Sequence, residues 1–491
     1  MNNIYSKTQI KALDQSTMLK QKISGWQLME RAAKALTSKI LELYPKPDTK
    51  FCVICGKGNN GGDGLAVARL LRNEFRNVEV ILVDGVEGTD EFKINLQSLY
   101  KKSKISPIKW EEFSKTIDTD VIIDAILGYS CERQPETPYK EAIEWVNNYD
   151  KAVISIDVPS GMPIDMLPSW SCVSASHTLN IGPTKLTSLL PESGPRYGNI
   201  SHIDINHAAT DVVTHYHFTT KAFAEGIIQP RQKFSHKGTF GHAAIFAGSK
   251  GMMGAAVLST KACLRSGVGL VTALVPNIGH DILQSSAPEA MCYTLGENIL
   301  SDDVDIKILD HFKAMGIGCG IGTEAKTCQW IEKLLATTHI PMVIDADALN
   351  IIAQLKVKIP QQAIITPHPK EFDRLFGPSS TSLERIEKQR HYAHDLNITI
   401  VLKGHHTTIA NSSGHLYFNS TGNAGMAKGG SGDVLTGLIT GLLAQGYTPS
   451  YAAILGVYLH GLAGDRVASE LGQYKMVAGD LIERLWDGVG N

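Results

Sequence analysis

Between residues 51 and 205 the chain repeats one rhythm: a short apolar run rich in β-branched residues, a loop carrying Gly or Asp, then a helical pattern. The runs are FCVICG, VEVILVDG, DVIIDAILG, AVISIDVPSG, HTLNIG and ISHIDI. Runs with apolar residues at successive positions are buried on both faces, and strands linked through helices lie parallel, so the rhythm dictates a three-layer α/β architecture. Ligands of such sheets bind in the loops beyond the carboxyl ends of the strands. Helical patterns at residues 10–19 and 26–43 supply covering helices. A polar stretch at 206–221 follows, and a second α/β series opens near His242. Its strand candidates are HAAIFAGS, LVTALVP, AMGIGCG, PMVIDADALN, AIITPHP and TIVLKGHHTTIA, with helices at 256–266 and 433–444. The tetrad Asn411-Ser412-Ser413-Gly414 marks a hairpin. A chain of 491 residues exceeds what one core serves; the expected domains are 1–215 and 216–491.

Composition narrows the partners. With 47 basic and 49 acidic residues the formal charge is -2, which leaves no footprint for nucleic acid or an anionic membrane. Small-molecule substrates are expected instead. The first twenty residues interleave Lys7, Lys11 and Asp14 with isolated apolar residues, unlike a secretory signal. No apolar stretch approaches the roughly 20 residues that span a bilayer. Eight scattered cysteines fit a reducing cytoplasm. Cys52 and Cys55, three apart in a strand-like run, point to opposite faces and read as core rather than a metal pair. The rings of His405 and His406, adjacent in another such run, diverge and make a poor metal pair for the same reason.

The first loop, Gly56-Lys57-Gly58-Asn59-Asn60-Gly61-Gly62-Asp63-Gly64, satisfies G-x-G-x-x-G, and Asp84 ends the next strand where a ribose-binding acid would stand. Asn59, Asn60 and Asp63 add polar groups beyond what glycine packing requires, so a ligand-binding loop is favoured over a tight turn. It lacks the Gly-Lys-Ser/Thr of a Walker loop. Asp124 and Asp157, the latter before Val158-Pro159-Ser160-Gly161, end later strands and converge on the same edge. Convergent carboxylates serve as acid or base, or hold a cation through oxygen; a turn or capping role is the alternative for any one of them.

The sharpest motif runs from Gly422 through Lys428-Gly429-Gly430-Ser431-Gly432-Asp433 into a long helix. Its amides and the positive end of the helix dipole form an anion hole for a transferring phosphoryl group, with Asp433 at its mouth to take a proton from a hydroxyl nucleophile. Upstream, Lys403-Gly404-His405-His406-Thr407 closes a strand as a nucleotide contact, and His368 with Glu371 marks another strand end. The acidic Asp345-Ala346-Asp347 and the glycine-rich run at 316–322 complete the outline of a nucleotide site and a substrate site.

With these residues in place, the chain resembles the bifunctional NAD(P)H-hydrate repair enzymes along nearly its whole length. The resemblance rests on GKGNNGGDG, DAILG and DVPSG in the first half, and on HKGTFGH, AGSKGMMGA, RSGVGLV, DADALN, TPHPKE, LKGHHT and GGSGDVL in the second. It implies a Rossmann-like three-layer αβα epimerase domain followed by a ribokinase-like α/β dehydratase domain. The substrate it implies is NADH or NADPH hydrated across the 5,6 bond of the nicotinamide ring, repaired with ADP or ATP and magnesium. By the same resemblance, Asn59, Asn60, Gly61, Gly62, Asp63, Gly128, Tyr129, Ser130, Cys131, Glu132, Arg133, Gln134 and Asp157 are epimerase substrate contacts. Asn60, Asp124 and Ser160 are its potassium ligands. Ala255, Gly318, His368 and Asp433 are dehydratase substrate contacts, and Lys403, Gly404, His405, His406, Thr407 and Gly432 nucleotide contacts. Asp433 and Asp157 are the expected proton-transfer groups, and the expected assembly is a homo-oligomer. Three other readings stand beside this one: a ribokinase-like alcohol kinase fused to a Rossmann-like binding domain, a non-catalytic interaction module, and a dehydrogenase.

Overall fold

The computed structural model describes residues 2–209, 211–301 and 306–489. They divide into two compact units, Asn3–Thr214 and the described part of His215–Asn491.

The first unit opens with α1 (Lys7–Gln21) and α2 (Gly25–Leu43), each begun by a capping box in which Ser6 pairs with Gln9 and Ser24 with Gln27. There follow β1 (Lys50–Cys55), α3 (Asn59–Asn73), β2 (Asn77–Leu82), β3 (Ile108–Lys109), β4 (Val121–Ala125) and α4 (Tyr139–Asn147). The last strands are β5 (Ala152–Ile156), β6 (His177–Ile181) and β7 (Asn199–Ile203). All seven pair in parallel in the order β3-β2-β1-β4-β5-β6-β7. This is the doubly wound order, with its switch point between β1 and β4. Each of the six apolar runs forms a strand; the two-residue β3 carries no run and is not legible in sequence. Alternation along β1 divides the core: Val53 and Cys55 pack with Leu36, Ile40, Leu65 and Leu71 on one face, Cys52 and Ile54 with Ile122, Ile143 and Val146 on the other. The two cysteines thus stand on opposite faces.

The second unit comprises β8 (Tyr216–Phe218), β9 (His242–Phe246), α5 (Met253–Arg265), β10 (Leu270–Val275), β11 (Met291–Thr294), β12 (Ala314–Ile317), β13 (Met342–Ile344) and α6 (Ala346–Leu355). It continues through β14 (Ile364–Ile365), α7 (Pro369–Phe376), β15 (Thr399–Leu402), β16 (Thr408–Ala410), β17 (Leu416–Phe418), α8 (Ser431–Ala444) and α9 (Pro449–Leu471). The sheet runs β8-β17-β16-β15-β14-β13-β12-β9-β10-β11. From β15 to β11 every pairing is parallel, whereas β15-β16 and β16-β17 are antiparallel.

Three expectations are corrected. The polar stretch at 206–221 contains β8, which pairs in parallel with β17; three residues with a histidine at their centre give too short a signal. TIVLKGHHTTIA is two strands around a turn at 403–407, closed by the Thr407 hydroxyl on the Gly404 carbonyl (3.2 Å). PMVIDADALN leaves the sheet at Ile344, and Asp345 stands at the N-cap of α6. The hairpin at Asn411 forms: its Oδ1 accepts from the amides of Ser413 (3.1 Å) and His415 (3.0 Å). Among the described residues no helix is long and apolar enough to cross a membrane.

Glycine brings α8 against α5. A Cβ on Gly437 would stand 2.0 Å from the Ser259 carbonyl oxygen, and one on Gly441 2.0 Å from the Ser266 hydroxyl. Gly437→Ala must therefore push the two helices apart and should cost about 1–3 kcal/mol, as overpacking does. Thermal unfolding checks it: a melting temperature equal to that of the wild type would mean the helices separate freely.

Candidate active sites

In the first unit a cavity of about 630 Å³ opens beyond the carboxyl ends of β1, β4, β5 and β6. The geometry begins with glycine. A Cβ on Gly61 would meet the Gly56 carbonyl oxygen at 1.8 Å, and one on Gly64 the Ala125 Cβ at 2.5 Å, so α3 can press onto the sheet only because these are glycines. Packing thus explains the last glycine of the G-x-G-x-x-G pattern, Gly61, while a Cβ on Gly58 would meet nothing within 4 Å. It leaves Asn59, Asn60 and Asp63, from the first turns of α3, lining the cavity.

Opposite them stand Gly128, Tyr129 and Ser130 from the loop after β4, and Asp157 from the loop after β5. Asp157 adopts φ 68°, a left-handed conformation uncommon outside glycine and asparagine. It is held there by Lys185, whose Nζ donates to its Oδ1 at 2.6 Å and to the Ile181 carbonyl at 2.6 Å. Lys185 is 1% exposed and lines the cavity, yet nothing in GPTKLTS marks it in sequence. Asp63 differs in character: burial first, then the charges of Asp157 and Asp14, raises its carboxyl well above the ordinary range. One cavity therefore presents an acid whose carboxyl is shifted toward its protonated form beside a carboxylate paired with an ammonium.

Asp124 is fully buried. It accepts from the Ser155 hydroxyl (2.7 Å), the Ser160 amide (2.9 Å), the Ile126 amide (3.3 Å) and the Ser160 hydroxyl, all neutral donors. Burial raises its carboxyl, and these bonds pull it back. The Ser160 hydroxyl in turn accepts from the Leu127 amide at 2.8 Å. Asn60 packs beneath Gly128, its Nδ2 buried without a partner among the described residues.

Other residues singled out in the sequence lie elsewhere. Gly61 and Gly62 are buried within α3, outside the cavity wall. Cys131, Glu132, Arg133 and Gln134 extend past the wall; Glu132 pairs with Lys7 at 2.8 Å. Asp84 does not face the cavity, being engaged by Lys57 (2.6 Å) and the Tyr139 hydroxyl (3.1 Å).

In the second unit, the ends of β9, β12, β13 and β15 converge on the N-terminus of α8. Gly430, with φ 91°, turns the glycine loop into the helix, placing Ser431, Gly432 and Asp433 in the first turn, where amides have no intrahelical acceptor. Asp433 is half-buried. Burial pushes its carboxyl up to about 6; a hydrogen bond from the Cys319 thiol pulls it down, the Asp345 charge raises it and Lys403 lowers it. The 2% exposed Asp345 carboxylate accepts from Lys403 Nζ (2.8 Å) and the Thr436 hydroxyl (2.8 Å). Burial works against the charge on Lys403, and Asp345 more than restores it. A Cβ on Gly432 would lie 3.5 Å from Asp345 Oδ2 and 3.6 Å from Lys403 Nζ, so these groups flank the loop.

Gly318, φ 123°, passes so close to the Asp345 carbonyl that a Cβ would reach 1.9 Å, and a Cβ on Gly320 would lie 3.0 Å from that of Ala255 at the start of α5. His368 caps α7, Nδ1 accepting from the Lys370 (3.1 Å) and Glu371 (3.2 Å) amides, which leaves its half-exposed Nε2 outward, 3.4 Å from Glu371. In the 403–407 turn His405 is exposed, while His406 Nδ1 meets the Asn419 carbonyl at 2.9 Å. The Lys428 ammonium is spent on the Tyr474 (2.8 Å) and Met476 (2.6 Å) carbonyls, leaving the loop's amides as its anion donors. Two groups from α9 escaped the sequence reading: Asp465, which fastens Gly422 and Asn423 at 2.9 Å each, and buried His460, 3.3 Å from the Ser431 hydroxyl and lowered to about 4 by burial.

Chemically, the first cavity can protonate a leaving group beside a fixed negative charge, and the second can bind a phosphoryl anion next to a proton acceptor. Comparisons with known proteins agree with this division. Residues 25–187 match the family model described as YjeF-related protein N-terminus, and residues 243–486 match that of NAD(P)H-hydrate dehydratase. The chain is 34% identical to the bifunctional NAD(P)H-hydrate repair enzyme of Moorella thermoacetica over 93% of its own length and 91% of the relative's. It is 32% identical to that of Coxiella burnetii over 99% of each. A solved ribokinase-like superfamily protein from Enterococcus faecalis, 30% identical, matches with a TM-score of 0.50 over 57% of this chain and 96% of its own.

Proposed function

The chain belongs to the family of bifunctional NAD(P)H-hydrate repair enzymes, and we propose that residues 1–215 interconvert the R and S hydrates of NADH and NADPH while residues 216–491 return the S hydrate to NAD(P)H. The dehydratase spends ADP or ATP, giving AMP or ADP and phosphate. The observation that carries this reading is Asp433 beside the uncapped amides of α8, with Lys403 and Asp345 flanking them.

In the second unit the C6 hydroxyl attacks the nucleotide's terminal phosphoryl group and gives its proton to Asp433. The new O–P bond forms as the bond to the departing nucleotide breaks, with the amides of Ser431 and Gly432 and the Lys403 ammonium holding the transferred charge. The ring nitrogen's lone pair then expels phosphate, and loss of a C5 proton restores the 5,6 double bond. Gly318, Ala255 and His368 border the substrate, and residues 403–407 the nucleotide. Magnesium, where bound, would be held chiefly by the nucleotide's phosphates and would offset their charge.

In the first unit Asp63 protonates the hydroxyl, which departs as water when the nitrogen lone pair forms a planar ring cation. Asp157, ion-paired with Lys185, faces that cation; water re-adds to either face and returns the proton to Asp63. Asn60, Asp124 and Ser160 suit potassium: a buried carboxylate with only neutral partners and an unpartnered amide are what a bound monovalent cation would complete. When bound, it would supply a positive charge beside the Asp124 carboxylate.

Recovery of reduced-nicotinamide absorbance from a mixture of both NADPH-hydrate epimers, with magnesium and ADP or ATP, tests the reading. Near-complete recovery is expected. Recovery of one epimer alone would remove the isomerase assignment, and a stable phosphate ester of another alcohol would replace repair with an alcohol kinase.

A further inference from the structure

Helix α1 turns an unusual face to the first cavity. Lys7, Ile10, Lys11, Asp14, Gln15 and Met18 all line it, the i, i+3, i+4, i+7 spacing of a single helical stripe. At 1.5 Å per residue that stripe is a wall about 16 Å long. A helix that only covered the sheet would present apolar residues here; this one offers two lysines, an aspartate and a glutamine alternating with two apolar residues.

The charges are unevenly engaged. Asp14 pairs with His207 at 2.9 Å. Lys7 is tied to the loop after β4, to Glu132 at 2.8 Å and the Ser130 carbonyl at 3.3 Å. Lys11 has no ion-pair partner among the described residues, and it stands one turn beyond Lys7 on the cavity side. An unpaired ammonium on the wall of a ligand cavity is a ready site for a phosphate, which lysine binds as a point charge.

We propose that the α1 stripe is the subsite for the phosphates of the dinucleotide hydrate, with Lys11 as the cation that contacts them and Lys7 holding the 128–132 loop beside it. The inference rests on the epimerase reading above. The reacting ring lies by Asp63, Asp157 and Lys185, and the ligand's diphosphate extends along α1. Lys11 thus acts on binding, not on the bond-making step.

The test is epimerisation by the full chain without nucleotide, so that the dehydratase is silent, with R and S hydrates separated chromatographically. Lys11→Glu should raise KM for NADH hydrate about tenfold, the effect of losing one charge-assisted contact of about 1.4 kcal/mol, with kcat within twofold. Lys11→Arg should keep KM within twofold. Inorganic pyrophosphate should compete with NADH hydrate in the wild type and lose potency in Lys11→Glu. The hydrate of reduced nicotinamide riboside, which has no phosphate, should show no such rise. Lys20→Glu makes the same charge change on α1 outside the cavity wall and serves as the control. A KM rise equal for the phosphate-free substrate, a rise equal in Lys20→Glu, or no rise at all overturns the proposal. Absence of epimerisation in the wild type would instead sink the epimerase reading itself.

Discussion

Asp433→Asn is expected to slow recovery of NAD(P)H from either epimer by about 10²–10⁴-fold, the worth of a positioned proton-transfer group, while the epimers go on interconverting. Asparagine keeps the shape of the side chain and an oxygen that can accept from the Cys319 thiol, so α8 and its loop keep their form and only the proton acceptor is lost. The pH profile supplies a second signature. Asp433 accepts a proton only when ionised, and its carboxyl stands at about 6 rather than 3.8. Dehydration kcat/KM should therefore fall as pH drops through about 6, two units above where an ordinary aspartate would titrate. Epimerisation needs Asp63 protonated, so it should not share that acidic limb. Absorbance recovery and chromatography of the epimers, measured across pH, read the two activities separately. Dehydration within tenfold of the wild type in Asp433→Asn would remove Asp433 from the chemistry.

Asp433 is legible in sequence because everything that defines its surroundings is local: the glycines that expose the amides, the acid and the helix follow one another in the chain. The parallel sheet of the first unit is legible for a related reason, since each strand is a buried run that declares itself. The partners that give these sites their character are remote. Asp345 and Lys403 are 58 residues apart, and only the adjacency of β13, β14 and β15 brings one carboxylate against that ammonium. His460 and Asp465 reach the glycine loop from α9, 29 to 43 residues further along the chain. The inward stripe of α1 reads in sequence as an ordinary amphipathic helix of mixed polarity, and its meaning appears only with the cavity it faces. Strand β8 was hidden because three residues carry no periodicity. Conversely, Gly61 and Gly62 look like ligand contacts in the motif, yet their backbones are needed for the packing of α3.

Lys185→Met should destabilise the first unit by about 3–5 kcal/mol, the cost of removing one partner from a buried ion pair. Asp157 would be left at 6% exposure without its cation, in a left-handed backbone conformation, with the Ile181 amide as its remaining donor. Asp157→Asn alone strands the ammonium in the same way, since Lys185 is 1% exposed. The double variant separates structure from chemistry. A neutral pair removes both charges, methionine follows the lysine stem, and asparagine tolerates positive φ better than most residues. Stability should return to within about 1–2 kcal/mol of the wild type, because neutral replacements for buried pairs are often harmless, and the two single effects should be strongly non-additive. Epimerisation should not return, because no carboxylate then faces the ring cation. Urea unfolding followed by amide hydrogen exchange resolves the first unit from the second, and the epimer assay runs on the same samples. A single variant as stable as the wild type would show that the pair does not hold the β5 and β6 loops together. A double variant that epimerises at the wild-type rate would show that Asp157 shapes the cavity without taking part in the reaction.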